Sequence, residues 1–332
     1  MSLRNWSSGA MTMLATVFLV SAATLAPIAA HAADNQATGD IAGNAANLGS
    51  SNTFTINSSQ LALVKTAFLT DGTPIATLVN WANHPETLGS KNTLITADYP
   101  GYLCREAEKR LGGITVFVNG AVGGMQSPLG STVKDASGKV VPERTYEKAE
   151  FIGSRVAELA AGALAAAPVA TPDAFLFREK PIEVPMTNPI FRMAAQAGIF
   201  AGRKQPNAEG GTTSPVGFIR FTRAGRPQLE IALVPGELYP EISVGGVERY
   251  SGADFPDAAV EPAVKQQMTA PFRMLFGLAD DEVGYIIPKC EWDEKPPYLN
   301  GSPKPHYGEV NSLGPETAPR ITNALREMLA GK

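Results

Sequence analysis

Two short apolar runs, Ile75 to Trp81 and Ile114 to Val118, bracket a segment with helical spacing, and this order constrains the fold more than any other feature of the chain. Each run reads as a buried strand bounded by turn formers, Thr70-Asp71-Gly72-Thr73-Pro74 before the first and Gly112-Gly113 before the second. Between them, Asp98-Tyr99-Pro100-Gly101 reads as a helix start with Asp98 as cap. Tyr102, Leu103, Ala107 and Leu111 then share one face. A further strand is expected over Leu61–Phe68. Beyond a polar loop (Gly130–Pro142), an Ala-rich helix is expected over Thr145–Ala166. Strands follow near Phe175–Val184, Val216–Thr222 and Leu229–Val234, then helices from about Leu238 and over Pro315–Leu329. Strand and helix alternate in the first half, and the middle strands are hairpin-like. The pattern predicts an α/β fold with a mixed β-sheet core flanked by helices.

The N-terminus reads as a signal for export. Arg4 precedes an apolar stretch from Met13 to Ala29, and Ala30-His31-Ala32 has the small-residue spacing of a cleavage site. Residues 1–32 are therefore expected to be removed, leaving a periplasmic or secreted protein. Residues 33–60, rich in Asn, Ser, Gly, Ala and Thr, are expected to form a polar arm, because they bury too little apolar surface to offset ordering entropy. The catalytic unit is expected over 61–332. A net charge of −4 with no basic stripe argues against a nucleic-acid partner. Cys104 and Cys290 could pair in an oxidising compartment, or Cys104 could be a buried free thiol.

Three strand ends carry residues suited to chemistry. Ile75–Trp81 leads to His84-Pro85, Ile114–Val118 leads through Asn119-Gly120-Ala121-Val122-Gly123-Gly124 to Ser127, and Leu229–Val234 leads to Pro235-Gly236-Glu237. If the strands are parallel neighbours, His84, Ser127 and Glu237 converge on the edge where open α/β sheets bind ligands. Each also has a structural reading. A His before Pro is often a turn residue, Ser127-Pro128 is a common turn pair, and Glu237 suits the positive end of the helix after it. The glycine loop lacks both the GxGxxG spacing and a following Lys-Ser/Thr, so it does not read as a nucleotide loop.

His84-Pro85, Thr96-Ala97-Asp98-Tyr99-Pro100-Gly101, Gly123-Gly124-Met125-Gln126-Ser127-Pro128, Pro235-Gly236-Glu237 and Gly284-Tyr285 form an ordered set. The set resembles successive blocks of the neutral/alkaline (non-lysosomal) ceramidase family, from about Leu61 to the C-terminus, and is closest to its compact bacterial members. The resemblance implies a zinc amidohydrolase with a ceramidase N-terminal-domain-like fold, incomplete at the N-terminus. It places zinc on His84, Glu237 and Tyr285, a nitrogen and two hard oxygens, with an open position for water. Zinc would lower the phenol pKa of Tyr285 and the pKa of bound water, and polarise an amide carbonyl. Ser127 matches the family's serine, as nucleophile or as hydrogen-bond partner, and Tyr298 resembles a second active-site tyrosine.

The chain departs from the family in three respects. It has no counterpart of the upstream Thr-His-Thr-His-Ser-Gly-Pro block that supplies another zinc histidine. Gly replaces the Asp of the serine block, and the C-terminal immunoglobulin-like domain of full ceramidases is expected to be absent. His306, in Lys304-Pro305-His306-Tyr307, is the spare imidazole of the mature chain, and its Pro-rich context predicts a surface loop. The expected function is zinc-dependent cleavage of an amide in an N-acyl lipid, with peripheral membrane contact to reach the substrate. The alternative is a catalytically impaired relative that binds lipid without turnover.

Overall fold

β-branched and aromatic residues dominate the first strands, and in the computed structural model they pair as that composition favours. The structure describes residues 74–124, 126–165, 172–199 and 210–331, with short strand segments at 19–20, 63–68 and 169–170. Strands β1 (Leu63–Phe68) and β2 (Pro74–Trp81) pair antiparallel. Helix α1 (Asp98–Leu111) crosses over, and β3 (Ile114–Asn119) returns parallel to β2, with Ala76 opposite Ile114 and Trp81 opposite Asn119. Gly113 makes the return possible: its φ is +67°, and a Cβ there would stand 2.7 Å from the Ile75 carbonyl oxygen.

Asp98 does not act as the expected cap. The flanking residue is Ala97, without a side-chain cap, and Asp98 itself has φ +52°. Its Oδ1 accepts from Tyr99 N at 2.7 Å, and its Oδ2 accepts from Leu88 N at 3.1 Å. The carboxylate thereby ties the helix start to the loop after β2. Tyr99 reinforces the tie, donating its hydroxyl to the Asn83 carbonyl at 2.6 Å while its ring packs edge-on against Trp81 and Phe117. Helix α2 (Tyr146–Ala165) covers α1, with Ile152, Val156 and Ala160 packed against Leu103 and Tyr99.

The second half builds a four-stranded sheet. β4 (Ala174–Val184), which is followed by helix α3 (Pro189–Gln196), pairs antiparallel with β5 (Thr212–Arg223), and β5 with β6 (Arg226–Leu233). The chain continues through a two-residue strand β7 (Glu237–Leu238) and helix α4 (Pro240–Val244), then adds β8 (Phe272–Phe276) parallel to β6. The short β9 (Tyr285–Ile286) pairs parallel with β7. Helices α5 (Tyr307–Val310) and α6 (Thr317–Leu329) follow, and α6 lays Ile321, Leu325 and Met328 on Val184, Val216 and Phe218 to make the main core. Asn80 Nδ2 donates to the carbonyls of Val118 and Leu275, both at 3.0 Å, and so bridges the first sheet to β8.

The mixed α/β architecture is as expected. The region around Leu238 differs, because Glu237 pairs in a strand before Pro240 starts the helix. Cys104 and Cys290 are both free thiols. Residues 1–60 lie outside the described residues apart from Leu19–Val20, which pairs with Val169–Ala170. Among the described residues, no helix is long and apolar enough to cross a membrane.

Candidate active site

Parallel strands end on one edge, and the residues beyond their ends meet there. The peptide after Trp81 turns at Asn83 and brings His84 against the glycine loop, where its backbone N–H donates to the Gln126 carbonyl at 2.7 Å. The same carbonyl lies 2.9 Å from His84 Nδ1. Across the edge, His84 Nε2 stands 2.6 Å from Glu237 Oε2. Glu237 arrives from β7, held against the loop by Gly123 N–H to the Leu238 carbonyl at 2.9 Å. Gly123 is required by closeness: a Cβ there would sit 2.5 Å from the Glu237 carbonyl oxygen.

Tyr285 completes the group through strand register. It is the direct partner of Glu237 in the β7–β9 pair, and its hydroxyl hydrogen-bonds the Glu237 carboxylate. Burial, together with the charge of Glu237 and this bond, pushes the Tyr285 phenol well above its ordinary pKa. Burial pulls His84 down. The hydrogen bonds to Glu237 and Gln126 and the charges of Glu237 and Glu86 outweigh that, so its pKa stands above 6.5.

These contacts pose a proton-counting problem. With Nδ1–H committed to the Gln126 carbonyl, Nε2 of a neutral imidazole is an acceptor, and it faces a carboxylate oxygen that can only accept. A proton on Nε2 resolves this, and so does a cation held by both atoms. The donors suit zinc: a histidine whose other nitrogen is fixed by a carbonyl, a carboxylate and a phenol. Among the described residues no cluster of three His, Cys, Asp or Glu side chains could hold a metal, so the third donor would be Tyr285.

Ser127 follows Gln126 directly. Its Oγ accepts from Leu129 N at 3.0 Å, the turn role open to a Ser-Pro pair, while the residue stays half-buried beside His84's partner. Tyr298 stands apart from this trio among its contacts, with its ring edge-on to His306 at 6.4 Å between centroids. His306 flanks α5, half-exposed, with Nε2 2.9 Å from the buried Asp293 carboxylate but misaligned for a hydrogen bond. The structure therefore gives His306 a partner other than His84 or Glu237.

Sequence reasoning passed over the residues that line this trio. Tyr285 is packed edge-on by two rings, Tyr239 at 6.3 Å and Tyr307 at 5.9 Å between centroids. Tyr239 lies two residues beyond Glu237, on the same side of an extended segment, a spacing that could have found it. Glu86 acts on both His84 and Tyr285 by its charge.

The fold is similar to that of the neutral ceramidase from Pseudomonas aeruginosa, with a TM-score of 0.50 and 15% sequence identity, over 81% of this chain and 46% of that one. A structure of ceramidase complexed with C2 matches with a TM-score of 0.49 and 14% identity, over 81% of this chain and 47% of that one. The chain thus spans just under half the length of the ceramidases it matches, and at such identity the likeness is one of fold. No protein-family model and no curated protein matches the chain.

Proposed function

We propose that this protein is a hydrolase that cleaves the amide bond of an N-acyl, ceramide-like lipid at the His84–Glu237–Tyr285 site. The observation that carries the reading is the 2.6 Å approach of His84 Nε2 to Glu237 Oε2, two acceptors that need a cation or a proton between them. The ceramidase-like fold supports the choice of substrate class. His84, Glu237 and Tyr285 would hold zinc, which supplies a Lewis acid for the amide carbonyl.

The protein's own groups have defined tasks. The Gln126 carbonyl holds the proton on His84 Nδ1 and keeps Nε2 turned into the site. Glu237 accepts a proton from the attacking water. Before zinc binds, Tyr285 keeps its phenol proton because burial and the neighbouring carboxylate oppose ionisation. Hydrolysis balances when water oxygen bonds the carbonyl carbon, the C–N bond breaks, and the amine leaves with the proton. Ser127 Oγ, on the rim beside Gln126, hydrogen-bonds the substrate amide.

Purified protein should contain zinc by elemental analysis and release fatty acid from a fluorescent N-acylsphingosine. His84→Ala and Glu237→Ala should each lower that turnover at least about a hundredfold. Full retention in either variant would refute the site. A second reading is lipid binding without turnover, favoured by the single histidine and single carboxylate that the described residues bring together with Tyr285, and saturable binding with no hydrolysis in excess zinc would select it.

A further inference from the structure

Helix α3 presents the wrong face to water. A surface helix normally turns apolar residues inward and polar ones outward. Here Phe191 and Ala195 pack on the main core, but the outward side carries Ile190 and Met193, three residues apart, at 55% and 64% exposure. Ile199, just beyond the helix, is 70% exposed. An apolar face of this kind on a monomer marks a contact surface.

Charge selects the partner. The protein as a whole is acidic, with a net charge of −4. Between Glu183 and Glu209, however, the sequence has no acidic residue and three basic ones, Arg192, Arg203 and Lys204. Arg192 lies on α3 and is exposed. Ile190 and Met193 flank one exposed cation, Arg192, along α3, and apolar side chains beside a cation are what an interfacial helix presents to an anionic lipid surface. A protein partner for the same apolar face would not call for a stretch cleared of acidic residues.

The position ties this face to the active site. Asn188, which caps α3, donates Nδ2 to the carbonyls of Val310 and Ser312, both at 2.9 Å. The intervening residue, Asn311, accepts from Tyr285 N at 3.0 Å. Tyr307, 60% exposed on α5, stacks edge-on against Tyr285. The outward face of α3 and the aromatic flank of the site are thus fastened to one segment.

We propose that α3 with Ile199 is an interfacial anchor that rests on an anionic bilayer and sets the Tyr285 side of the site toward lipid. The proposal deepens the reading of an N-acyl lipid substrate and rests on it for its purpose. Its test does not depend on turnover. The full chain is mixed with phosphatidylcholine vesicles, with and without phosphatidylglycerol, and sedimented. The protein should follow the phosphatidylglycerol vesicles and release with added salt.

Ile190→Asp/Met193→Asp should weaken that binding at least about tenfold, and Arg192→Gln about fivefold. Both positions of the double variant are exposed, so its melting curve should match the parent's. No sedimentation, equal sedimentation with both vesicle types, or full binding by the double variant would each overturn the proposal. A dimer dissolved by the same substitutions, with no vesicle binding, would overturn it in favour of self-association. Loss of hydrolysis with vesicle binding intact would refute the enzyme reading and leave the anchor standing.

Discussion

At the residue scale the site is a matter of protons. In the metal-free site two acceptors 2.6 Å apart require a proton between His84 Nε2 and Glu237 Oε2, and Tyr285 keeps its phenol proton beside the same carboxylate. A metal that takes these three atoms as ligands must displace both protons if Tyr285 coordinates as phenolate. Zinc titration at about pH 6, where a histidine whose pKa stands above 6.5 is mostly protonated, should therefore release about two protons per zinc. Calorimetry in two buffers of different ionisation enthalpy measures that number. Tyr285→Phe should reduce it to about one. A release unchanged by that substitution would remove Tyr285 from the ligand set.

At the scale of elements, the turn after Ser127 is held by a side chain from α2. Lys148 is fully buried, and its Nζ donates to the carbonyls of Pro128 and Ser131, each at 2.8 Å, and pairs with Glu143. A buried ammonium is costly unless its protons all find acceptors, and here the acceptors belong to the turn that follows Ser127. Lys148→Ala should cost about 3 kcal/mol of stability in denaturant melts, since it leaves carbonyls without a donor. It should also loosen Gln126 from His84, seen as loss of the slowly exchanging Nδ1–H resonance of that imidazole. Nothing in the Ala-rich helical pattern around Lys148 singles it out, because its role depends on a loop about twenty residues upstream. The strand–helix–strand unit from Pro74 to Asn119 was legible because local periodicity and turn residues define it. The two-residue strands at Glu237 and Tyr285 were not, since each exists only through pairing with the other. His84 and Glu237 stood out at strand ends and Tyr285 only through the family resemblance, whereas the aromatic lining was hidden in segments without periodic signal.

At the scale of the whole molecule, acidity is distributed so that folding favours retained protons. Glu241, on the helix directly after the site, hydrogen-bonds Glu291 from the turn before Tyr298. Burial, with the charge of Glu241 next, pushes Glu291 up to about 8, and burial raises Glu241 as well. Both carboxyls stand near 4.5 in an unfolded chain, so between about 4.5 and 8 the native protein binds a proton that the unfolded chain releases. The stabilisation is complete below that window and is lost as pH rises through it. His84 acts in the same direction: its raised pKa stabilises below about 6.5 and the contribution fades above. Melting temperature of metal-free protein should therefore fall steadily from about pH 5 to pH 8.5. Glu291→Gln keeps a hydrogen bond to Glu241 without needing the proton, so it should flatten the alkaline part of the curve while leaving the His84 portion. A slope unchanged by that substitution would show that the carboxyl pair does not share a proton.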